Sequence, residues 1–411
     1  MDKTSTAITQ VLSEAFPQED SYGAISMPVY SSAAFEFYTA EEMEDAFLGK
    51  SGKHTYSRIS NPTVAFFENR IKTISGAAHV LAVSSGMAAI SNVFMTLAYA
   101  GSNIVTSPHL FGNTFSLFRF TLDAFGVETR FCNLLDIKEV ERNIDDKTCA
   151  LFTEIITNPH MEAVDLKGLS QVAHQKGVPL IVDSTIIPWP AFKASRFGVD
   201  LEVASSTKYL SGGATSIGGL ILDHQTFDWN RSPRLGKLAE MAGKKAFQNK
   251  LRSEISRNTG AYMSPQTAHL QNLGLETLEL RYQRASSSCL QLAQFLQTVP
   301  EIEEVRYPGL KDNPFYAVSK EQFGDCPGAM LTFNLKDREA CFAFINRLKI
   351  IRRATNLFDN KSLIIHPFST IYGTLSDEYK KMVEVPGNML RLSTGLEDPE
   401  DLKADILQAL A

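Results

Sequence analysis

From about residue 60 to residue 222, short apolar runs alternate with segments whose apolar residues recur every three or four positions. The runs 79–83, 103–106, 127–131, 149–153, 178–183, 200–204 and 217–222 are bounded by polar and glycine-bearing stretches and predict strands. Between them, 62–74 sets Val64, Phe67, Ile71 and Ile74 on one helical face, with Pro62 suited to a first turn. Segments 87–98, 114–125 and 166–176 show the same period. Strands that are apolar along their length, alternating with helices, predict a mainly parallel α/β sheet.

Outside that span the pattern changes. Residues 1–60 lack the alternation and predict an extended arm with a little helix, and 225–258 are charged and short of β-branched residues, as in an excursion from the sheet. After Ser264-Pro265 a long helical pattern, 266–297, precedes shorter apolar runs at 329–334 and 389–392. The expected organisation is an arm (1–60), a large domain (61–259) and a smaller α+β domain (260–411).

The 411 residues suffice for two to three domains of about 150 residues each. A hydrophobic fraction of 44% with 21% charged residues excludes disorder as the dominant state. Formal charge is 40 − 46 = −6, so no chain-wide basic surface exists to neutralise nucleic acid or lipid headgroups, and any anion must be bound locally. Cys132, Cys149, Cys289, Cys326 and Cys341 form no C-x-x-C pair, a pattern of reduced thiols in a cytoplasm. No H-E-x-x-H or H-x-x-x-H pair supports a metal. Residues 1–16 hold no apolar core of a secretion signal, and no apolar run nears the ~18 residues of a membrane span.

Ligands in open α/β sheets bind beyond the carboxyl ends of the strands. Three ends here are unusual: Ser84-Ser85-Gly86-Met87, Asp183-Ser184-Thr185, and Ser205-Ser206-Thr207-Lys208 followed by Ser211-Gly212-Gly213. The first leads from strand straight into helix, offering free backbone N–H groups and a positive dipole end to a phosphate. Small residues at one such turn are ordinary, and a lone lysine is usually a surface charge; only the combination matters. Asp183 ends an apolar strand and wants a cationic partner. A pyridinium nitrogen would be one, a lysine amine would hold the same ring by its aldehyde carbon, and hydroxyls and amides would hold its phosphate. These are the three handles of pyridoxal 5'-phosphate.

Tyr56-Ser57-Arg58-Ile59-Ser60-Asn61-Pro62-Thr63, Ser85-Gly86-Met87-Ala88-Ala89, Thr157-Asn158-Pro159, Asp183, Ser205-x-Thr207-Lys208-Tyr209 and Arg391-Leu392-Ser393-x-Gly395-Leu396-Glu397-Asp398 occur in that order. Together they resemble the Cys/Met-metabolism family of pyridoxal-phosphate enzymes. Ala214-Thr215-Ser216-Ile217-Gly218-Gly219 and Phe227-Asp228-Trp229 most resemble its O-acetylhomoserine sulfhydrylases. The resemblance implies an aspartate-aminotransferase-like α/β fold and γ-replacement of O-acetyl-L-homoserine by sulfide or a thiol. It makes Lys208 the cofactor-binding lysine and proton shuttle, and Asp183 the partner of the ring nitrogen. Ser85, Gly86, Met87, Ser205 and Thr207 would hold the phosphate, joined by Tyr56 and Arg58 from a neighbouring subunit. Asn158 would meet the ring hydroxyl and Arg391 the substrate α-carboxylate, the bidentate contact for which arginine is suited. A dimer with shared sites follows, and the family usually forms tetramers.

Two positions depart from that pattern. The stacking tyrosine is Phe111, and Asn356-Leu357-Phe358-Asp359 replaces a serine-containing, glycine-bearing loop. Stacking survives at Phe111 without a hydroxyl. Asn356 could still contact the substrate carboxylate, and His366 is as compatible with a structural hydrogen bond as with a substrate contact. Gly49-Lys50-Ser51 imitates the end of a P-loop, but Glu44 stands where its first glycine belongs. A non-enzymatic role is disfavoured by the presence of Lys208, Asp183 and Arg391 together. The remaining alternatives are a methionine or cystathionine γ-lyase and a cystathionine γ-synthase, which use the same cofactor handles.

Overall fold

The computed structural model describes residues 6–14, 22–325 and 327–411; Cys326 and part of the polar start lie outside them. The apolar runs form one seven-stranded sheet. Its strands are β1 (His79–Val83), β2 (Asn103–Thr106), β3 (Glu128–Phe131), β4 (Thr148–Glu154), β5 (Leu180–Asp183), β6 (Leu201–Ala204) and β7 (Gly219–Asp223). The spatial order is β1-β7-β6-β5-β4-β2-β3, and every pair is parallel except those of β7, which opposes both neighbours. Strand side chains alternate between two cores: Val80 and Ala82 of β1 join one, Leu81 and Val83 the other. Burial on both faces is why these strands read as continuous apolar runs.

The flanking helices begin and end where their local chemistry directs. In α1 (Pro62–Ser75) the Asn61 side chain accepts from Thr63 N–H, Pro62 opens the first turn, and Gly76 closes the helix at φ 75°. Ser85 caps α2 (Gly86–Leu97), and Asp165 caps α3 (Leu166–Lys176). The segment expected at 114–125 starts earlier, at Gly112, and widens into a π-helical turn over Leu117–Leu122 that keeps Phe118 and Leu122 buried.

The helix expected over 266–297 is two helices, α4 (Pro265–Glu276) and α5 (Leu278–Leu296). The break at Thr277 has a packing reason. Gly274 lies directly against the Leu210 carbonyl, with no room for a Cβ. Arg281 then donates to the Gly274 carbonyl, which the break frees, and to the Tyr209 carbonyl at 2.7 Å. Beyond α5 a second sheet has five strands: β8 (Glu304–Arg306), β9 (Met330–Asn334), β10 (Arg352–Arg353), β11 (Leu363–Ile365) and β12 (Met389–Ser393). Phe333, Ile364 and Leu390 of this sheet share one core with Val182, Tyr209 and Leu278.

Residues 225–258 are a chain of short helices that return Trp229, Leu235, Phe247 and Leu251 to the core. The arm carries helices Ala7–Leu12 and Ala40–Phe47 and leaves Tyr22, Ile25 and Tyr38 96%, 98% and 95% exposed. Aromatic and branched apolar side chains so far from the core are unusual for a finished surface. Among the described residues no helix is long and apolar enough to cross a membrane.

Candidate active site

The carboxyl ends of β1, β4, β5 and β6 open into one cavity of about 220 Å³. Of the residues expected at a site, Ser85, Gly86, Met87, Phe111, Asn158, Asp183, Ser205, Thr207, Lys208 and Arg391 all line it. Because β7 opposes both neighbours, β1 and β6 run parallel to each other and deliver Ser85 and Ser205 to the same edge. Gly219 opens β7 directly against the Ser85 carbonyl, where a Cβ would collide.

Helix α2 begins at this edge. The Ser85 hydroxyl accepts from Ala88 N–H at 3.0 Å, while the N–H groups of Gly86 and Met87 lie in a first turn that no intrahelical carbonyl reaches. A Cβ on Gly86 would stand 2.8 Å from Ser205 Cβ, so glycine lets the two strand ends approach this closely. Ser205 N–H donates to Thr185 Oγ1 at 2.8 Å. The Thr207 hydroxyl donates to Gly218 O at 3.2 Å and accepts from Gly218 N–H at 3.1 Å, which fixes its rotamer beside the cradle. Positive dipole end, small residues and hydroxyls together have the chemistry to suit an anion.

Lys208 is largely buried, which, with Arg391 nearby, pushes its amine down to about 8; Asp183 opposes that shift. Its Nζ donates to Asn356 Oδ1 at 2.7 Å. Asp183 accepts from Thr185 N–H at 2.9 Å, and burial raises its carboxyl above the ordinary range. Glu154, which the sequence pattern does not single out, pairs with Asp183 in register and lines the same cavity. Burial, then repulsion from Asp183, pushes its carboxyl up to about 8. Its two oxygens accept from Phe111 N–H at 2.6 Å and Asn158 N–H at 3.0 Å.

Arg391 is buried, and burial pulls its guanidinium down to about 10. Nη1 donates to Asn158 Oδ1 at 3.0 Å and Nη2 to the Thr355 carbonyl at 3.3 Å, leaving Nε buried without a hydrogen-bond partner. A buried guanidinium with an unpartnered N–H has the chemistry to receive a carboxylate. The Asn356 side chain faces Lys208, not Arg391. His366 is held by Ser369 Oγ at 2.8 Å and the Gly387 carbonyl at 2.7 Å and does not line the cavity.

Tyr56 and Arg58 do not line this cavity. Arg58 stacks over the Tyr56 ring at 5.5 Å and donates to the Arg257 carbonyl. Ile156 and Thr355 line the cavity without having been singled out in the sequence. Among the described residues no cluster of three or more His, Cys, Asp or Glu is arranged to hold a metal.

The sequence pattern of the Cys/Met metabolism PLP-dependent enzymes matches residues 8–411. An O-acetylhomoserine sulfhydrylase structure from Wolinella succinogenes is 47% identical, covering 86% of this chain and 99% of that one at TM-score 0.78. A putative O-acetylhomoserine (thiol)-lyase of Campylobacter jejuni, solved with N'-pyridoxyl-lysine-5'-monophosphate, is 31% identical over 98% of this chain and 99% of that one, with TM-score 0.91. Among curated relatives, O-acetyl-L-homoserine sulfhydrylase 1 of Thermus thermophilus is 38% identical over 94% of this chain and 95% of its own length. An L-methionine gamma-lyase of Fusobacterium nucleatum is 35% identical over 95% and 94%. A match that runs through every element of the cavity places the chain in the Cys/Met-metabolism family of pyridoxal-phosphate-dependent enzymes.

Proposed function

We propose that this protein is a transferase that converts O-acetyl-L-homoserine and sulfide, or a thiol, to L-homocysteine, or methionine, and acetate. The observation that carries the reading is the meeting of Lys208, Asp183 and Arg391 with the Ser85–Gly86 and Ser205–Thr207 donors in one cavity. The residues fit pyridoxal phosphate. The Gly86 and Met87 N–H groups in the first turn of α2 suit a phosphate, the largely buried Asp183 carboxyl suits a pyridinium, and the lowered Lys208 amine suits an aldehyde. When bound, the cofactor supplies the electron sink that lets the Cα proton and the γ-substituent leave.

In this reading Ser85, Gly86, Met87, Ser205 and Thr207 hold the phosphate, and Tyr56 and Arg58 reach it from a neighbouring subunit. Asp183 keeps the proton on the ring nitrogen. Asn158, which holds Arg391, would also meet the ring hydroxyl, so that ring and carboxylate receptor would share one anchor. Arg391 orients the substrate through its carboxylate, Asn356 faces Lys208, and Lys208 takes and returns protons at Cα and Cβ. Phe111, which lines the cavity, would cover the ring. Residues 61–259 form the cofactor-binding domain, 260–411 the smaller domain, and 1–60 the arm that joins subunits into a dimer and then a tetramer in the cytoplasm.

A second reading, γ-elimination from methionine or cystathionine, has support in the gamma-lyase relative. The missing hydroxyl at Phe111 favours replacement of acetate instead, since acetate leaves without a general acid. Turnover of O-acetyl-L-homoserine with sulfide, methanethiol and cysteine, measured beside methionine and cystathionine cleavage, tests the choice. The expected result is amino-acid product with sulfide or methanethiol and loss of all turnover in Lys208→Ala. Faster methionine cleavage would overturn the assignment.

A further inference from the structure

Residues 355–360 run as a strap past the Lys208 side of the cavity, tied down along its length. The Thr355 carbonyl accepts from Arg391, Asn356 Oδ1 accepts from Lys208 Nζ, and Phe358 N–H donates to Ser393 Oγ at 2.7 Å. Asn360 Nδ2 closes the run on the Gly212 carbonyl at 2.8 Å. At its centre Phe358 stands at φ 56°, a region that favours glycine and strains any side chain. What holds it there is its ring. Buried, it stacks on Tyr209 with centroids 4.4 Å apart and planes 9° apart. Tyr209 follows Lys208, so the ring that fixes the strap and the amine that the strap receives belong to adjacent residues.

We propose that this strap is a dock for the free Lys208 amine, in which Asn356 receives the amine and Phe358 positions Asn356. The inference rests on reading Lys208 as the cofactor-binding lysine. An amide oxygen suits the task, because it accepts from a neutral amine and, more strongly, from an ammonium, without adding a charge of its own. A carboxylate in its place would hold the lysine charged. The other charged groups that act on Lys208 are Arg391, which disfavours the ammonium, and Asp183, which favours it. With the amide oxygen removed, the buried ammonium loses an acceptor while its burial and Arg391 remain. The dock therefore makes an unusual demand: its loss must lower the proton affinity of Lys208, whereas loosening of the fold would admit water and raise it.

The test is acylation of Lys208 by acetic anhydride in the full-length chain freed of cofactor, followed against pH by peptide mass spectrometry. Asn356→Ala should move the inflection to lower pH by at least about half a unit, so that Lys208 reacts roughly threefold faster at a fixed pH below it. Phe358→Gly relieves the backbone but removes the ring, and should move the inflection the same way. Phe358→Tyr keeps the ring and should match the parent protein. An unmoved inflection in Asn356→Ala, or one displaced toward the ordinary lysine range, overturns the dock. The same assay on the holoenzyme separates the two readings. If bound pyridoxal phosphate does not shield Lys208, the functional assignment itself is wrong; a shielded Lys208 with an unmoved inflection rejects the dock alone.

Discussion

Glu154 and Asp183 stand side by side at the ends of β4 and β5, paired residue for residue in a parallel ladder. Both carboxyls are raised by burial, and Asp183 raises Glu154 further. Two acids brought together in this way cannot both ionise easily, so the fold keeps a proton on Glu154 beside Asp183.

The pair makes the cofactor-free protein sensitive to pH. Below the ordinary value of 4.5 the Glu154 carboxyl is protonated whether the chain is folded or not. Between 4.5 and about 8 the unfolded chain has released that proton while the folded chain retains it. The folded state then binds more protons, so its stability falls as pH rises through this window. Urea unfolding of the cofactor-free protein from pH 5 to pH 8 should show that decline, and Glu154→Gln should flatten it. An equal slope in the variant would assign the pH dependence to other groups.

Arg391→Lys keeps the charge but loses the planar edge that leaves Nε available. We expect KM for the amino-acid substrate to rise at least about tenfold, with kcat changed less, because one charge-assisted hydrogen bond of a bidentate pair is lost. An unchanged KM in Arg391→Lys would move the carboxylate receptor elsewhere.

Arg58 lies outside the cavity of its own chain. If it completes the cavity of a second copy, mixing inactive Arg58→Ala with inactive Lys208→Ala chains should restore activity through hybrid dimers. Confirmed subunit exchange without any recovery would remove Arg58 from the phosphate site.

Phe111 bears on reaction choice. Carboxylic acids have pKa near ~4 and thiols near ~8.5, so acetate departs unprotonated far more readily than a thiolate. We expect kcat/KM for O-acetyl-L-homoserine with sulfide to exceed that for methionine cleavage by at least ~10²-fold, the lower bound of a general acid's contribution. Phe111→Tyr should narrow the gap by raising the cleavage rate. A parent protein that prefers methionine refutes both the sulfhydrylase reading and this account of Phe111.

Much of this site is legible in the chain because its polar residues interrupt apolar runs. Asp183 announces itself by ending such a run, and Ser85-Gly86 by joining strand to helix. Glu154 obeys the same rule as Asp183; it escapes notice because the run before it reads as ending at Thr153, one residue short. The break at Thr277 has no local signal, since it answers to Gly274 meeting Leu210 across the fold. Nor does any local pattern reveal the side-chain partner of Asn356, 148 residues from Lys208, or the stack by which Phe358 keeps a glycine-like backbone. Those are tertiary choices that override local preference.

The antiparallel insertion of β7 between β1 and β6 has a consequence for how the chain matures. Ser85 and Ser205 leave synthesis far apart, and neither strand end can face the other until β7, made later than both, has slotted between them. Pairings of such large sequence separation are slow to form. A ligand that bridges the two ends therefore cannot be captured by a half-built sheet. Its uptake during refolding marks the arrival of the last central strand, and the rate of cofactor capture becomes a clock for sheet completion.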